Sequence, residues 1–204
     1  MQMTRASMTA NEFSFSETKK RLREEMLARR DALTTEQRIE KSLEATAHGE
    51  TGISMVPGTV VSGFFPIRSE IDPRPLMDAL RRKGARLCLP VVLDRTTIIF
   101  RELVRGGELI DTGFGTRGPA ESAEILDPDL MIMPMSVFDL HGGRIGYGAG
   151  HYDRAIARLI DLGRSPRLIG MAFDCQRVDT VPVEPHDQPL DAIITESGYH
   201  EVKK

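Results

Sequence analysis

Two cysteines make up the whole thiol content of this 204-residue chain, and Cys88 and Cys175 stand far apart with no CxxC between them. That scarcity excludes a disulfide scaffold or a cysteine-rich zinc module, and their apolar neighbours suit reduced core thiols of a cytosolic protein. The histidines show no HExxH or comparable zinc-ligand spacing. No apolar run approaches the ~18 residues that cross a bilayer, and the polar opening lacks the central apolar region of a signal peptide. A soluble, cytoplasmic chain with no membrane partner is therefore expected. Charge of one sign is also missing, since a net charge of -3 leaves no broad basic field for nucleic acid. There is no internal repeat, no low-complexity tract, and no heptad pattern or long apolar helix face, which predicts a monomer.

What is present suits one domain large enough to bury a core without staples. Residues 1–13 mix small and polar types without periodicity and read as a mobile leader, leaving 14–204 as a single α/β domain. Ser14 with Glu17, and Thr34 with Gln37, are capping-box patterns that open two helices, expected to reach residues 31 and 48. Strand-like runs at 60–66, 86–93, 98–103, 130–137, 168–173 and 192–195 then alternate with helical patterns at 73–83 and 149–162. This rhythm predicts a three-layer α/β/α domain with a mainly parallel, open, doubly wound (Rossmann-like) sheet and an N-terminal helical pair. Segment 105–127, rich in Gly, Glu, Thr and Pro, reads as a long surface excursion. Pro66, Pro90 and Pro134 each follow an apolar run and are read as strand ends. Ligand crevices in open α/β sheets lie beyond the carboxyl ends of strands, so the segments after these prolines are where chemistry is sought.

The richest segment is Gly142-Gly143-Arg144-Ile145-Gly146-Tyr147-Gly148-Ala149-Gly150-His151-Tyr152-Asp153-Arg154. Its glycines let backbone amides turn toward a ligand, and the helix that follows adds unpaired N–H groups and a positive dipole end, so it reads as a phosphate cradle. Asp153 is positioned to hold a divalent cation beside that phosphate. The stretch is no Walker A motif, for it lacks Gly-Lys-Ser/Thr, and His151 takes the third glycine position of a dinucleotide GxGxxG. A purely structural turn is the alternative.

Three other groups stand out. On the first helix, Lys19, Arg23 and Arg30 project within roughly 40° of one another, with Met26 on the same side. The stripe is either a solvated face or a rigid source of cations for phosphates. Residues 64–73 gather Phe64, Phe65, Arg68, Glu70 and Asp72 just before a helix. There Glu70 or Asp72 is a helix cap, or a carboxylate for the paired donors of an amidine-like ring edge, with Phe65 as the apolar wall for that ring. In the proline-rich stretch 181–191, Asp187 is a candidate second carboxylate for Mg²⁺, and His186 has no assigned role.

Together these residues resemble the 5-formyltetrahydrofolate cyclo-ligase (methenyltetrahydrofolate synthetase) family over residues 19–195. The run from Gly143 to Arg154 is similar to the family's Arg-Leu-Gly-x-Gly-x-Gly-Tyr-Tyr-Asp signature, Lys19-Lys20-Arg21-Leu22-Arg23 to its Lys-x-x-x-Arg, Glu70-Ile71-Asp72 to its Glu-hydrophobic-acid segment, and His186-Asp187 to its late His/Asn-Asp loop. The sequence departs from the pattern at Ala149, where glycine or lysine is frequent, and at His151, where a titratable ring stands in place of the usual tyrosine. The resemblance implies ATP- and Mg²⁺-dependent closure of 5-formyltetrahydrofolate to 5,10-methenyltetrahydrofolate, with a non-catalytic nucleotide- or folate-binding relative as the alternative. It implies that Lys19, Arg23, Arg144, Ile145, Gly146, Tyr147, Gly148, Ala149, Gly150, His151 and Tyr152 bind ATP. Phe65 and Glu70, with the loop from Tyr147 to His151, would bind the folate. Arg144, Tyr147 and Tyr152 would stand nearest the chemistry, and Asp153 and Asp187 would hold Mg²⁺. Small molecules, a reduced formyl-folate and ATP, are the partners implied.

Overall fold

The computed structural model describes residues 15–112, 116–184 and 187–203, so the leader assigned to 1–13, Ser14 of the first capping box, and His186 lie outside the described residues. Helix α1 spans Phe15–Asp31 and α2 spans Thr35–Gly52. The expected capping box forms at α2: Gln37 N donates to Thr34 Oγ1 at 3.2 Å and Thr34 N donates to Gln37 Oε1 at 2.9 Å. Next come β1 (Val60–Ser62), α3 (Arg74–Arg82), β2 (Arg86–Val92), β3 (Ile98–Glu102), β4 (Leu109–Asp111) and β5 (Arg117–Pro119). The chain continues with β6 (Leu130–Pro134), β7 (Val137–Phe138), β8 (Arg144–Ile145), α4 (His151–Asp161) and β9 (Arg167–Met171). A 3-10 turn at Asp174–Gln176 precedes β10 (Ala192–Thr195) and β11 (Gly198–Glu201).

The central sheet has the order β11-β10-β9-β6-β1-β2-β3. Its five inner strands run parallel, while β3 and β11 pair antiparallel at the two edges. Alternation along each strand divides the core. Leu87 and Leu89 of β2, Leu130 and Ile132 of β6, and Ile169 and Met171 of β9 pack with Ala45 of α2 and Leu76 and Leu80 of α3. The intervening Cys88, Met131, Met133 and Leu168 pack with Ala155, Ile156 and Leu159 of α4. Both faces of the sheet are covered, which is the three-layer α/β/α arrangement its parallel strands require.

The strand expected over 60–66 stops at Ser62, and 63–73 leaves the sheet as a loop, so Pro66 does not end a strand. Nor does Pro90, which lies inside β2 opposite Phe100. Odd-numbered β2 residues bond toward β3, as Leu87 O does with Leu103 N, whereas Cys88 O accepts from Gly63 N on the β1 side. Even-numbered Pro90 therefore turns its donorless nitrogen to the side where β1 has already ended, and no ladder bond is lost. Only Pro134 ends its strand as expected. The excursion at 105–127 contains the β4–β5 hairpin, with Gly118 and Pro119 buried. Helix α4 begins at His151 rather than 149 because Gly150 is left-handed, with φ +65°.

Beyond the carboxyl ends of β1, β6 and β9 emerge the 63–73 loop, the β7–β8 hairpin with its glycine loop, and the 3-10 turn. Helix α1 lies over this end, where Met26 packs with Val137, Ile145 and Val181 in a small cluster of its own. That is where the sheet topology opens a ligand crevice.

Candidate functional site

Lys19, Arg23, Met26 and Arg30 follow the i, i+4, i+7, i+11 spacing of a packed helical face. The structure turns that face inward. Met26 and Arg30 are each 1% exposed, while Lys20, Arg21, Glu24, Glu25 and Arg29 point to solvent. The solvated-stripe alternative is thereby overturned, because the apolar contact of Met26 drives the same side of α1 that carries the cations onto the domain.

At the start of α1, Lys19 Nζ donates to Asp187 Oδ2 at 2.6 Å and to Glu184 Oε2 at 2.8 Å. Burial works against the ammonium charge, but the two carboxylates outweigh it and hold the lysine above its ordinary pKa. One turn on, Arg23 Nε donates to Gly146 O at 2.7 Å, tying α1 to the glycine loop. Arg144 reaches Asp153 Oδ1 at 2.8 Å and Gln188 O at 3.0 Å, and Gln188 N approaches the same Asp153 oxygen at 3.4 Å. A cavity of about 380 Å³ lies among Arg144, Val181, Glu184, Asp187 and Gln188. A larger groove of about 610 Å³ runs between α4, β9 and β11, but no residue of the glycine loop lines it. Converging charges, more than volume, mark the smaller space as the site.

Asp139, which sequence reasoning did not single out, builds the floor. It is 2% exposed, with Oδ1 accepting from His141 N at 2.8 Å and Gly143 N at 2.9 Å, and Oδ2 accepting from Val181 N at 2.7 Å. One carboxylate thus binds the β7–β8 turn to the 181–188 stretch and fixes where Arg144 emerges. An Asp followed, after one residue, by His-Gly-Gly is the readable signal for such a turn. Beyond β8, Gly148 has φ +98°, and a Cβ there would meet the Arg23 guanidinium at 3.4 Å. The loop's far end is held by Arg154, which donates to Ala149 O at 2.5 Å and Thr96 O at 2.7 Å. His151 opens α4 with a buried Nε2 that has no partner among the described residues. Tyr152 packs half-buried against the α4-side core, and burial pushes its phenol well above the usual range, so the hydroxyl stays protonated.

The other end of α1 meets the 63–73 loop. Arg30 Nε donates to Ser69 Oγ at 3.0 Å, Ser69 Oγ donates to Asp31, and Arg30 Nη2 donates to Tyr147 Oη at 2.9 Å. The Tyr147 hydroxyl stands close enough to the Glu70 carboxyl for each to shift the other's titration. Glu70 is 8% exposed and also accepts from Ile67 N at 2.9 Å. Burial raises its carboxyl above the usual carboxylate range, opposed by the Ile67 amide, Arg30, Tyr147 and Arg68. The guanidinium carbons of Arg30 and Arg68 each lie 5.9 Å from the Tyr147 ring centroid. Arg68, at φ +55°, is the only non-glycine residue with positive φ among the described residues, so backbone strain sits beside Glu70. Asp72 takes its structural role, accepting from Arg74 N at 3.0 Å where α3 begins. Phe65 is half-buried, with the Arg74 guanidinium 5.4 Å over its ring. Arg30, Arg68 and Ser69 thus join Glu70 and Tyr147 in a cluster of which the sequence marked only part, and Phe65 pairs with Arg74 instead.

A profile of the 5-formyltetrahydrofolate cyclo-ligase family matches residues 15–196. The chain belongs to this family. The 5-formyltetrahydrofolate cyclo-ligase of Escherichia coli K12 is 33% identical over 175 residues, covering 83% of this chain and 95% of that relative. The cyclo-ligase of Mycolicibacterium smegmatis is 30% identical over 148 residues, covering 69% and 75% respectively. Among solved structures, the Aquifex aeolicus 5,10-methenyltetrahydrofolate synthetase aligns with a TM-score of 0.76 at 26% identity, over 91% of this chain and 93% of that one. The Mycoplasma pneumoniae synthetase shares the fold, with a TM-score of 0.69 at 24% identity over 87% and 98%.

The cyclo-ligase signature therefore coincides with the glycine loop, and the donor set beside it suits a hard cation. Among the described residues no cluster of three His, Cys, Asp or Glu side chains gathers into a ready metal cage. Asp153 and Asp187 instead offer carboxylate oxygens now paired with Arg144 and Lys19. Mg²⁺ at phosphate sites takes one or two carboxylates and completes its shell from phosphate and water, so two such oxygens fit it.

Proposed function

We propose that the protein closes 5-formyltetrahydrofolate to 5,10-methenyltetrahydrofolate using ATP and Mg²⁺, releasing ADP and phosphate. The observation that carries this reading is one glycine loop touched from both sides: Arg23 holds its Gly146 carbonyl, while Tyr147 one residue on accepts from Arg30 beside the buried Glu70. A phosphate-binding end and a carboxylate-bearing end thus share a single backbone segment. The family membership supplies the substrate class.

A formamide oxygen is a very poor leaving group. Transfer of the terminal phosphoryl group of ATP to that oxygen gives an imidate-like phosphate. The N10 amine then adds to the formyl carbon and loses its proton, and phosphate departs with the C–O bonding electrons. Lys19, Arg23, Arg144 and the amides from Ile145 to Tyr152 hold the triphosphate in this scheme. Lys19 and Arg144, now paired with Asp187 and Asp153, would turn to the phosphate oxygens, and those two carboxylates would hold Mg²⁺. Bound Mg²⁺ neutralises charge on the phosphate oxygens. Phe65 and Glu70 hold the ring system of the folate, and Tyr147, Gly148, Ala149, Gly150, His151 and Tyr152 border the reacting group. Positioning and charge neutralisation supply most of the rate.

The test is absorbance in the near-ultraviolet band of the methenyl product, with 5-formyltetrahydrofolate, with and without ATP and Mg²⁺. An ATP-dependent rise is expected. Tight binding of both ligands with no rise would instead identify a non-catalytic relative.

A further inference from the structure

Arg30 has a combination of properties that simple packing does not account for. It is a cation 1% exposed at the inner end of α1, and its Nη1 has no hydrogen-bond partner among the described residues. Leaving a buried charged donor unpaired costs stability, so such a residue is retained for what its other donors do. Those donors go to two different segments: Nε to Ser69, beside Glu70, and Nη2 to Tyr147, on the glycine loop. Ser69 Oγ donates in turn to Asp31 at the end of α1, and Tyr147 stands beside Glu70.

We infer that Arg30 is a positioning residue for the folate end of the site: through Ser69 and Tyr147 it holds the loop that carries Glu70 against the glycine loop, and it sets its own charge beside that carboxyl group. The inference rests on the cyclo-ligase reading and deepens it. The charged and titratable groups facing Glu70 are Arg30 from α1, Arg68 from its own loop, Tyr147 from the glycine loop and Tyr152 from α4. Burial favours the protonated acid, and the Arg30 charge opposes it more strongly than that of Arg68. Tyr147 is 38% exposed, so the network also presents an aromatic ring edge to incoming ligand at a position where the family signature admits any residue.

The experiment measures kcat and KM for both substrates across pH for the parent, Arg30→Met, Arg30→Lys and Tyr147→Phe. Loss of a charged hydrogen-bonding partner should raise the folate KM of Arg30→Met about tenfold or more, with the ATP KM changed less than about twofold. Without the Arg30 charge Glu70 takes up its proton at higher pH, so the acid limb of kcat/KM for the folate moves upward. Arg30→Lys restores the charge without the planar fork and should recover the acid limb more fully than the KM. Tyr147→Phe, altered at a partly exposed position, should shift both quantities in the same direction by a smaller amount. A merely structural role would lower the melting temperature without moving the acid limb. An unchanged folate KM and acid limb in folded Arg30→Met would overturn the inference, and if that variant does not fold, the same result in Tyr147→Phe would overturn it. A parent that closes no ring would refute the cyclo-ligase reading itself. In that case equilibrium binding of 5-formyltetrahydrofolate by parent and Tyr147→Phe decides the role of Arg30, equal affinity across pH overturning it.

Discussion

The two ends of helix α1 handle charge in opposite ways. At Lys19 each cation is matched directly by carboxylates at the edge of a cavity, and the same holds for Arg144 with Asp153. At Arg30 a buried guanidinium is met by hydroxyls, those of Ser69 and Tyr147, with the buried Glu70 nearby and no direct ion pair among the described residues. Direct pairs at an accessible edge exchange partners when a more highly charged group arrives. A buried guanidinium held by two hydroxyls from different segments keeps its geometry before the ligand comes. The first arrangement suits a triphosphate with its metal, the second a neutral ring with a directional hydrogen-bonding edge.

The largest expected effect comes from breaking the exchangeable end. Arg144→Met should lower kcat/KM about a thousandfold, since it removes a phosphate-facing cation and leaves Asp153 without its 2.8 Å partner. Steady-state rates for both substrates check this. Glu70→Gln should come next, raising the folate KM about a hundredfold through loss of a charge-assisted pair. Its stability effect has the opposite sign. Because burial raises the folded pKa of Glu70, the native state binds its proton more tightly than the unfolded chain does, so stability falls as pH rises from the ordinary carboxylate range through the folded value. The neutral amide removes that loss, and its melting temperature at neutral pH should be no lower than the parent's.

Asp187→Asn sharpens the comparison, with an expected rise of about tenfold in the Mg²⁺ concentration for half-maximal activity and an unchanged folate KM. Magnesium titration of the initial rate reads this directly. The smallest effect is at His151. Its partnerless Nε2 is buried at the first turn of α4, so His151→Phe keeps a ring while removing an unsatisfied polar atom, and should stabilise the protein by about 1 kcal/mol. Thermal or denaturant unfolding measures it.

Much of the fold was legible because it depends on local pattern. The capping box of Thr34 and Gln37 opens α2 as read, and 192–195 is a strand to the residue. Pro90 misled because whether a proline ends a strand depends on what lies beside its nitrogen, and that is a property of β1, 28 positions earlier, ending at Ser62. The β7–β8 hairpin was missed because two-residue strands carry too little alternation to register, and β11 because Gly-Tyr-His-Glu lacks the apolar run that marks β10. In the site, Lys19, Arg23, Glu70, Arg144, Asp153 and Asp187 stood out as charged residues in motif spacing. Asp139 and Ser69 did not, since their roles come from backbone amides and a guanidinium brought to them from elsewhere in the chain.

The sequence by itself determined the layered α/β class, the family and the glycine loop, because periodicity, capping and a contiguous motif are written in neighbouring residues. It also determined that Lys19, Arg23, Met26 and Arg30 share one side of a helix. Only the tertiary structure decided which way that side faces. Packing Met26 against Val137, Ile145 and Val181 drew the stripe onto the domain, placing Lys19 against Asp187 and Arg30 against Ser69 and Tyr147. Helical spacing determines which side chains travel together, whereas burial of apolar area determines where they arrive.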